Sequence, residues 1–342
     1  MKKIICFLVA VTLVVSAFGC KPSSNGGSQS GSSGSSGTGG AHEHTYVLVK
    51  AVKPTCTKSG NSAYFICDCG KVFLKKGTSY VETDMNSVTL KAKGHSFTDE
   101  VLSDEYLISE ATETAPQTFA KACRLCGEKS PYEIDTFTYG KTLDEYNGVE
   151  KTLYTPTNLT MSLYDAANCV YGFTWNTETE PARPVVNITE KTSGEKKSVR
   201  ASFSSASSYN IAGGNETPIK YYSCKAEIAL KPDTEYVYSV GDKYMETFTD
   251  PAEIKSVNPS QKSSWKFVHV SDSQAEGNVS NGGLGTGTAF SSVLKNIIAD
   301  DEVKFMVHTG DVVEYSKYQN YWTNMINANF KYLSEIPVMA IS

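Results

Sequence analysis

The sequence has little net charge, no long apolar run after its first 20 residues, and few histidines. Its 342 residues carry 32 Lys and Arg against 37 Asp and Glu, a formal charge of −5. This mild acidity argues against a general nucleic-acid-binding protein, which needs a strongly basic field. The missing apolar run excludes a membrane-spanning helix after residue 20, since such a helix needs about 20 apolar residues. Because 40% of the residues are hydrophobic, wholesale disorder is excluded as well.

The first 20 residues have the pattern of an export signal. Lys2 and Lys3 precede an apolar stretch over residues 4–19, which is short for a spanning helix. Residues 16–20 read Ser-Ala-Phe-Gly-Cys and resemble the lipobox of bacterial lipoproteins, in which the cysteine, here Cys20, becomes the lipidated N-terminus. We therefore expect residues 1–20 to be a lipoprotein signal peptide and the protein to be anchored by lipid to the outer face of the bacterial cytoplasmic membrane or the cell surface. Ordinary signal cleavage with secretion is the alternative.

Residues 21–41 have the composition of a tether. Fifteen of the residues 21–40 are Ser or Gly, which predicts a flexible Ser/Gly linker that holds a folded body away from the membrane. A chain of this length predicts two or three domains beyond such a linker, at roughly 100–200 residues each.

Cysteine and histidine are concentrated in one stretch. Five of the seven cysteines after residue 20 and three of the five histidines lie between residues 42 and 130, which predicts metal sites or local disulfides. The stretch is an internal repeat, with copies at residues 42–93 and 94–140. Each copy has a histidine, an aromatic residue and a cysteine pair closed by glycine, where a sharp turn points backbone amides at the sulfurs. The candidate ligands are His44, Cys56, Cys67 and Cys69 in the first copy and His95, Cys123 and Cys126 in the second.

Both copies resemble the small ribbon-like Cys/His repeats of bacterial surface proteins, and this resemblance implies structural zinc. The four ligands of the first copy make a complete tetrahedral set of the kind that zinc accepts. The second copy has Glu113 at the position of Cys56. The alternatives are disulfides, which an exported protein can form, and sites that have lost their metal. Either a metal or a bridge would stabilise copies this small, because they bury little core.

Residues 141–252 predict an antiparallel β-sandwich. Short alternating runs between turn residues, one of them over residues 198–203, recur six or seven times. Residues 230–241 resemble the Leu-x-Pro-x-Thr-x-Tyr-x-Tyr-x-Val-Gly corner of fibronectin type III-like domains, in the version that precedes the catalytic domain of purple acid phosphatases. Trp175 is expected in the core. Two further cysteines, either a disulfide across the sheets or two buried thiols, are Cys169 and Cys224.

Residues 264–342 alternate between strands and helices. Three strands, the last over residues 336–341, are separated by two helices with a 3.6-residue apolar period, which predicts a parallel sheet with right-handed crossovers. Asp272 and Asp311 follow the first two strands, at the edge where the ligand sites of such sheets gather.

The residues around both aspartates resemble the first two motifs of calcineurin-like metallophosphoesterases. Residues 270–274 read Val-Ser-Asp-Ser-Gln and residues 308–314 read His-Thr-Gly-Asp-Val-Val-Glu. With the preceding sandwich, this order resembles bacterial purple acid phosphatase-like proteins. The resemblance implies that Asp272 binds one metal ion, that Asp311 bridges two, and that Gln274 ligates weakly where many members have histidine.

The same resemblance implies two divalent or trivalent ions of Mn, Zn or Fe. Glu314 stands where the purple enzymes have a metal-binding tyrosine and Tyr315 is one residue late, so a tyrosinate–Fe³⁺ centre is not expected. Two cations about 3.5–4 Å apart clamp the attacking and leaving oxygens of a phosphoester. His269 and His308 lie within strands and are expected to be core histidines. The glycine-rich residues 282–287 lack the spacing of a dinucleotide-binding loop and predict an ordinary loop.

The third motif of that family follows a buried strand like residues 336–341. We expect a continuation that begins Gly-Asn-His and supplies histidine ligands. We also expect these 342 residues alone to be inactive, because two carboxylates and one amide cannot hold two divalent ions at hydrolytic geometry.

The sequence thus predicts a multidomain protein. It comprises small Cys/His ribbon-like repeats, an all-β fibronectin type III-like sandwich and a truncated α/β metallophosphoesterase domain. The expected activity is hydrolysis of a phosphomonoester or phosphodiester, with the substrate and the membrane as partners. The alternative is a non-catalytic surface adhesin or binding protein whose phosphoesterase domain is vestigial.

Overall fold

A computed structural model of the chain describes residues 43–261, 265–273 and 288–340. The expectations for Cys20 and Gln274 lie outside the described residues, as do those for the signal, the linker and the glycine-rich loop. None of the helices in the described part of the chain is long and apolar enough to cross a membrane.

The described residues divide into two compact units. The first unit consists of residues 43–49 and 63–87, and the second of residues 50–62 and everything from residue 88 onward. The division therefore does not coincide with the repeat boundary expected at 93/94, because residues 50–62 of the first copy fold with the second unit.

The Cys/His region consists of short strands. They are β1 (Val47–Val49), β2 (Gly60–Asn61), β3 (Tyr64–Ile66), β4 (Val72–Lys76), β5 (Ser79–Thr83), helix α1 (Met85–Val88), β6 (Thr89–Leu90), β7 (Phe97–Asp99), β8 (Leu107–Ser109), β9 (Gln117–Ala120), β10 (Ala122–Cys123) and β11 (Thr136–Tyr139). In the first unit, β1, β3, β4 and β5 form an antiparallel sheet in the order β1-β3-β4-β5. Aromatic side chains stabilise it: Phe73 is buried, and Tyr46 stacks on Tyr80 with ring centroids 3.8 Å apart.

The second unit begins with three small antiparallel sheets. Strand β2 pairs with β6, β7 pairs with β10, and β9 lies between β8 and β11. A small core of Tyr106, Phe119 and Ala122 packs with Leu107 on β8 and Phe137 on β11.

The predicted sandwich is confirmed as two antiparallel sheets. After helix α2 (Leu143–Asn147) and a 3₁₀ turn (Lys151–Tyr154), the strands are β12 (Thr157–Asp165), β13 (Val170–Thr177), β14 (Pro184–Glu190), β15 (Lys196–Arg200), β16 (Ser202–Ala212), β17 (Asn215–Ala229), β18 (Glu235–Asp242), β19 (Thr247–Phe248) and β20 (Ala252–Lys255). One sheet has the order β12-β13-β17-β16, and the other has β15-β14-β18-β19 with β20 also paired to β18. The last strand ends at Lys255, beyond the expected limit of residue 252.

The sandwich core follows from the period of two. On β17, Cys224, Ala226 and Ile228 are buried while the residues between them are exposed, and Trp175 on β13 is 1% exposed in the same core. Trp175 is therefore a core residue, as expected. Cys169 and Cys224 are both buried free thiols, not a disulfide.

The expectation of one strand over residues 198–203 is wrong. Strand β15 ends at Arg200 and β16 begins at Ser202, and the two strands lie in different sheets. The chain crosses between the sheets at Ala201, which is buried and donates its backbone N–H to the Pro184 carbonyl at 2.9 Å. An alternating pattern indicates only which residues face the core. Because both sheets face the same core, the pattern continues where the chain passes from one sheet to the other.

The alternating pattern after residue 264 folds in the predicted order of strands and helices, except that the second predicted helix is divided at Asn329 into two helices. Its elements are β21 (Lys266–Val270), α3 (Thr288–Ile298), β22 (Val303–His308), α4 (Gln319–Ala328), α5 (Phe330–Leu333) and β23 (Val338–Ala340). The strands form a parallel sheet in the order β21-β22-β23. Helix residues Leu294, Met325 and Leu333 and strand residue Met306 share its buried core.

The parallel sheet and its helices pack against the sandwich within the second unit. The Asn320 side chain on α4 donates to the Ile211 carbonyl on β16 at 2.9 Å. The Tyr238 hydroxyl on β18 donates to the Ser334 carbonyl after α5 at 2.7 Å. These contacts attach the helices of the parallel sheet to both sheets of the sandwich.

Candidate metal sites

Two aspartates follow neighbouring strands of the parallel sheet. Asp272 follows β21 and Asp311 follows β22, and these strands are hydrogen-bonded to each other. Beyond the strands, the Asp272 N–H donates to the Gly310 carbonyl at 3.1 Å and the Thr309 N–H donates to the Val270 carbonyl at 3.0 Å. The two loops are therefore tied together, with both carboxylates exposed at one edge of the sheet.

Both aspartates have a left-handed backbone conformation. Their φ angles are 55° for Asp272 and 50° for Asp311. This region costs a residue other than glycine roughly 1 kcal/mol, although aspartate tolerates it better than most. Such strain is concentrated at functional sites, where it aims a side chain. Because carboxylate oxygens bind divalent ions such as Mn²⁺, the pair fits the first ligands of a metal centre.

A buried histidine connects the two aspartate loops. The Nε2 of His308 lies 3.0 Å from the Ser273 hydroxyl, which donates to the Val312 carbonyl at 2.9 Å. On the other side of the ring, Nδ1 accepts the Gly310 N–H at 3.4 Å. This arrangement assigns the ring proton to Nε2, with Ser273 as its acceptor. Since Ser273 and Val312 directly follow Asp272 and Asp311, the network links the backbones that carry both carboxylates.

The burial of His308 and the direction of its pKa shift agree with that network. The ring is 2% exposed, and burial lowers its pKa below the ordinary value of 6.5, although the Asp272 charge opposes this. His308 is therefore a core histidine, as expected. His269 is exposed instead, and its Nε2 lies 2.8 Å from the Thr309 hydroxyl. Neither Ser273 nor its bond to His308 was predicted, since no spacing in the sequence pairs them.

The residues after Asp311 have an aromatic environment. Glu314 is exposed, and Tyr315 packs against Tyr318 and Tyr321 with ring centroids 5.9 and 6.3 Å away. Tyr315 therefore has tyrosine rings as neighbours and is itself exposed, and the expectation about a tyrosinate–Fe³⁺ centre stays a prediction.

The Cys/His region contains two groups of potential ligands. The sequence suggested that Cys56 shares one ligand set with the other candidates of its own copy. The structure groups it differently. It brings together Cys56, His95, Cys123 and Cys126 in the second unit, and separately His44, Cys67 and Cys69 in the first. The sequence could not show this exchange, because the backbone pairing that moves Cys56 is not visible in the spacing of the repeat.

Each cysteine pair lies on a tight turn. The Gly127 N–H donates to the Cys123 carbonyl at 2.7 Å, and the Gly70 N–H donates to the Cys67 carbonyl at the same distance. The φ angles of these glycines are 74° and 81°, which a residue with a side chain adopts at a cost. The predicted glycine-closed turns are therefore present in both units.

The thiols of the second group differ in acidity. Burial and the neighbouring Cys126 and Cys123 thiols raise the pKa of Cys56 to about 12. Burial also opposes ionisation of Cys123, but backbone hydrogen bonds, among them one from Ser96, lower its pKa to about 6. A cation that binds all three sulfurs as thiolates would supply the positive charge that Cys56 needs to ionise.

The geometry of the first group is similarly close. The His44 Nδ1 lies 3.3 Å from the Cys67 sulfur and 3.5 Å from the Cys69 sulfur. Among the described residues, none of the cysteines of the two groups forms a disulfide bond.

Comparisons with known proteins agree with the order of the domains. Residues 156–256 match the model of the purple acid phosphatase N-terminal domain. Residues 266–342 match the model of the calcineurin-like phosphoesterases. The two matches cover the sandwich and the parallel sheet in turn. They confirm the predicted resemblances to the domain that precedes the catalytic domain of purple acid phosphatases and to the calcineurin-like phosphoesterases, while the fibronectin type III-like fold stays a prediction.

Solved structures include a similar protein from a plant. The purple acid phosphatase PPD1, isolated from yellow lupin (Lupinus luteus) seeds, is 16% identical with a TM-score of 0.45. The match covers 55% of this chain and 35% of that chain, so the present chain spans about a third of the lupin structure. The comparison with curated proteins gave no match.

Proposed function

We propose that the chain carries the first ligands of a dinuclear metal centre in a metal-dependent phosphoester hydrolase. The observation that supports it best is the pair Asp272 and Asp311, both in the left-handed conformation at the ends of neighbouring parallel strands. They lie within residues 266–342, which match the calcineurin-like phosphoesterases. The substrate class is a phosphomonoester or phosphodiester, and the metals are Mn, Zn or Fe.

The proposed roles follow from the positions of the residues. By the resemblance to the calcineurin-like phosphoesterases, Asp272 would hold one cation and Asp311 would serve both, and the amide oxygen of Gln274, which lies outside the described residues, would add a weak ligand. When bound, a pair of cations supplies charge stabilisation for displacement at phosphorus. The Ser273–His308 network holds the backbone of both loops, and the sandwich supports the sheet from which they extend. We regard that sandwich as fibronectin type III-like because of residues 230–241.

The test is a titration of the full chain with Mn²⁺, followed by electron paramagnetic resonance. Mn²⁺ prefers oxygen ligands and so reports on the aspartates rather than on the cysteine groups. The Asp311→Asn substitution keeps a residue that tolerates the left-handed conformation but removes the charge. We expect it to weaken Mn²⁺ binding about tenfold or more, since even residues that only orient metal ligands contribute 10–100-fold.

The matched control is Asp300→Asn, in the turn between α3 and β22, where the carboxylate pairs with Lys266 at 2.9 Å. This variant should bind Mn²⁺ as the parent chain does. Equal binding by the Asp311→Asn and Asp300→Asn variants would contradict the proposal. Metal-dependent turnover of p-nitrophenyl phosphate by the complete gene product, lost in its Asp311→Asn variant, would extend the proposal from metal binding to hydrolysis.

Location at the bacterial surface belongs to the same proposal and is supported by the sequence alone. Export and lipidation at Cys20 would place the Ser/Gly linker next to the membrane. Labelled fatty acid should then be incorporated into the chain in cells and be lost in a Cys20→Ser variant. Equal labelling of the two chains would exclude Cys20 as the lipidated residue.

A further inference from the structure

Four ligands in the second unit come from both copies of the repeat. The donor atoms of Cys56, His95, Cys123 and Cys126 all lie within 4.8 Å of one another. We propose that they form a closed structural zinc site, in which Cys56 of the first copy completes the ligand set of the second.

The distances match those of a zinc tetrahedron. With Zn–S near 2.3 Å and Zn–N near 2.0–2.1 Å, a regular tetrahedron has sulfur–sulfur edges of about 3.8 Å and sulfur–nitrogen edges of about 3.5 Å. The Cys56 and Cys123 sulfurs are 3.8 Å apart, and the Cys126 sulfur is 3.5 Å from the His95 Nδ1. A disulfide needs about 2.05 Å between its sulfurs, so the separation of Cys56 and Cys123 fits shared coordination and not a bond.

The orientation of His95 is a second, independent indication. Its Nδ1 faces the sulfurs, and its Nε2 lies 3.5 Å from the Glu128 carboxylate. Histidines that bind a metal through one ring nitrogen usually donate the other N–H to a carboxylate or carbonyl, which orients the ring and makes the ligand more basic. Glu128 directly follows the glycine of the cysteine turn, and its carbonyl accepts the Cys123 N–H at 2.8 Å. One turn thus supplies two ligands and the partner of a third.

Backbone pairing carries Cys56 to this site. Residues 50–62 form a loop closed by paired hydrogen bonds of 2.9 Å between Val52 and Asn61. Next to Cys56, the Thr55 carbonyl accepts the Lys93 N–H at 2.9 Å, and the Cys56 carbonyl accepts the Gly94 N–H at 3.0 Å. The segment that pairs with Cys56 therefore leads directly into His95.

The site is of the structural type. Cys56 and Cys123 are buried, and all four positions of a tetrahedron have protein ligands, which leaves no open position for a substrate. Its effect is to tie the loop of residues 50–62 to the second copy, in a region whose own core is small.

The first test counts zinc in variants of the full chain, purified under reducing conditions and challenged with a chelator. Cys56→Ser and Cys123→Ser should each remove one equivalent of zinc, and the double variant should remove no more than either single variant. If Cys56 shared a site with Cys67 instead, the double variant would lose two equivalents of zinc, the sum of the losses in the two single variants. Cys224→Ala, at a buried thiol of the sandwich, is the control and should keep all the zinc.

The second test uses the unmodified chain, so it does not depend on the folding of a variant. Zinc is withdrawn by a chelator, and the alkylation of each cysteine is followed by peptide mass spectrometry. Loss of protection at Cys56 in one step with Cys123 and Cys126 supports the proposal. Loss of protection at Cys56 in step with Cys67 and Cys69, or rapid alkylation of Cys56 in excess zinc, overturns it.

Discussion

At the scale of single residues, the most informative contact is the one between Ser273 and His308. The Ser273 hydroxyl serves as acceptor for the buried ring and as donor to the Val312 carbonyl. Its neighbours in the chain carry the candidate metal ligands, but Ser273 itself touches only protein groups in these bonds. It is therefore a positioning residue for the aspartate loops.

Replacing Ser273 should destabilise the protein. The Ser273→Ala substitution leaves the His308 Nε2–H buried without this acceptor, which costs about 1–3 kcal/mol. The change in stability is measured as the shift in the urea concentration at the midpoint of unfolding. Hydrogen exchange of the backbone amides in β22 is a second measurement of it. Ser271→Ala removes an exposed hydroxyl two residues away and should alter stability by no more than about 0.5 kcal/mol. Equal midpoints for the two variants would show that the Ser273 bond contributes nothing.

At the scale of elements, a network of charges attaches the second copy of the repeat to the sandwich within the second unit. The Asp104 carboxylate accepts hydrogen bonds from Arg183 at 2.6 Å and from Arg200 at 3.0 Å. Both guanidinium groups are almost fully buried, with side chains 6% and 3% exposed. Because buried cations need a counter-charge, Asp104 stabilises the end of β15 and the start of β14 together.

Removing this charge should be costly. Asp104→Asn leaves two buried guanidinium groups short of negative charge, and we expect a loss of roughly 1–3 kcal/mol in the free energy of unfolding, limited by the partial exposure of Asp104. Chemical denaturation at pH 7 measures it. Asp99→Asn, at an exposed carboxylate on β7, is the control and should be nearly neutral. If Asp104→Asn left the free energy of unfolding unchanged, solvent would already screen the charges of this network.

The pKa of Asp104 predicts how the free energy of unfolding depends on pH. Burial opposes ionisation of Asp104, but the hydrogen bonds from Arg183 and Arg200 lower its pKa below the ordinary value of 3.8. The unfolded state therefore binds the proton first as pH falls, and the stabilisation is complete above pH 3.8 and is lost below it, toward the folded-state pKa. The difference in stability between the parent chain and Asp104→Asn should shrink across that acid range. A difference that stays constant through it would exclude Asp104 as the cause.

At the scale of the whole molecule, the sandwich and the parallel sheet share buried contacts within one unit. The Tyr238 side chain, 1% exposed on β18, donates its hydroxyl to the Ser334 carbonyl beyond α5. The sheet of three strands thus relies on the sandwich for part of its buried surroundings. Opening of one should therefore be coupled to opening of the other.

The Tyr238→Phe substitution tests this coupling. It removes one buried hydrogen bond, which costs about 1–2 kcal/mol, and hydrogen exchange should become roughly 5–30-fold faster in peptides from both β18 and α5. Tyr209→Phe, at a ring 44% exposed on β16, serves as the control and should change neither. Faster exchange confined to one of the two peptides would show that the domains open separately.

Local patterns predicted much of this fold. The alternation around Cys224 and Ile228 predicted a strand with one buried face, and the apolar period around Leu294 predicted a helix between parallel strands. Asp272 and Asp311 were predicted at one edge of the sheet, since parallel strands end on the same side. Each of these inferences needs only the residues of one element and its motif.

The sequence by itself thus determined the order of the domains, the period of the strands and helices, and the residue types available to bind metal. Only the tertiary structure decided that the chain changes sheets at Ala201, that Cys56 lies with His95 rather than His44, and that Ser273 bonds His308. The physical reason is the same in each case. Periodicity and motif spacing arise from interactions within a few residues, whereas these three features depend on hydrogen bonds and packing between segments far apart in the chain, which leave no repeating signal in the sequence.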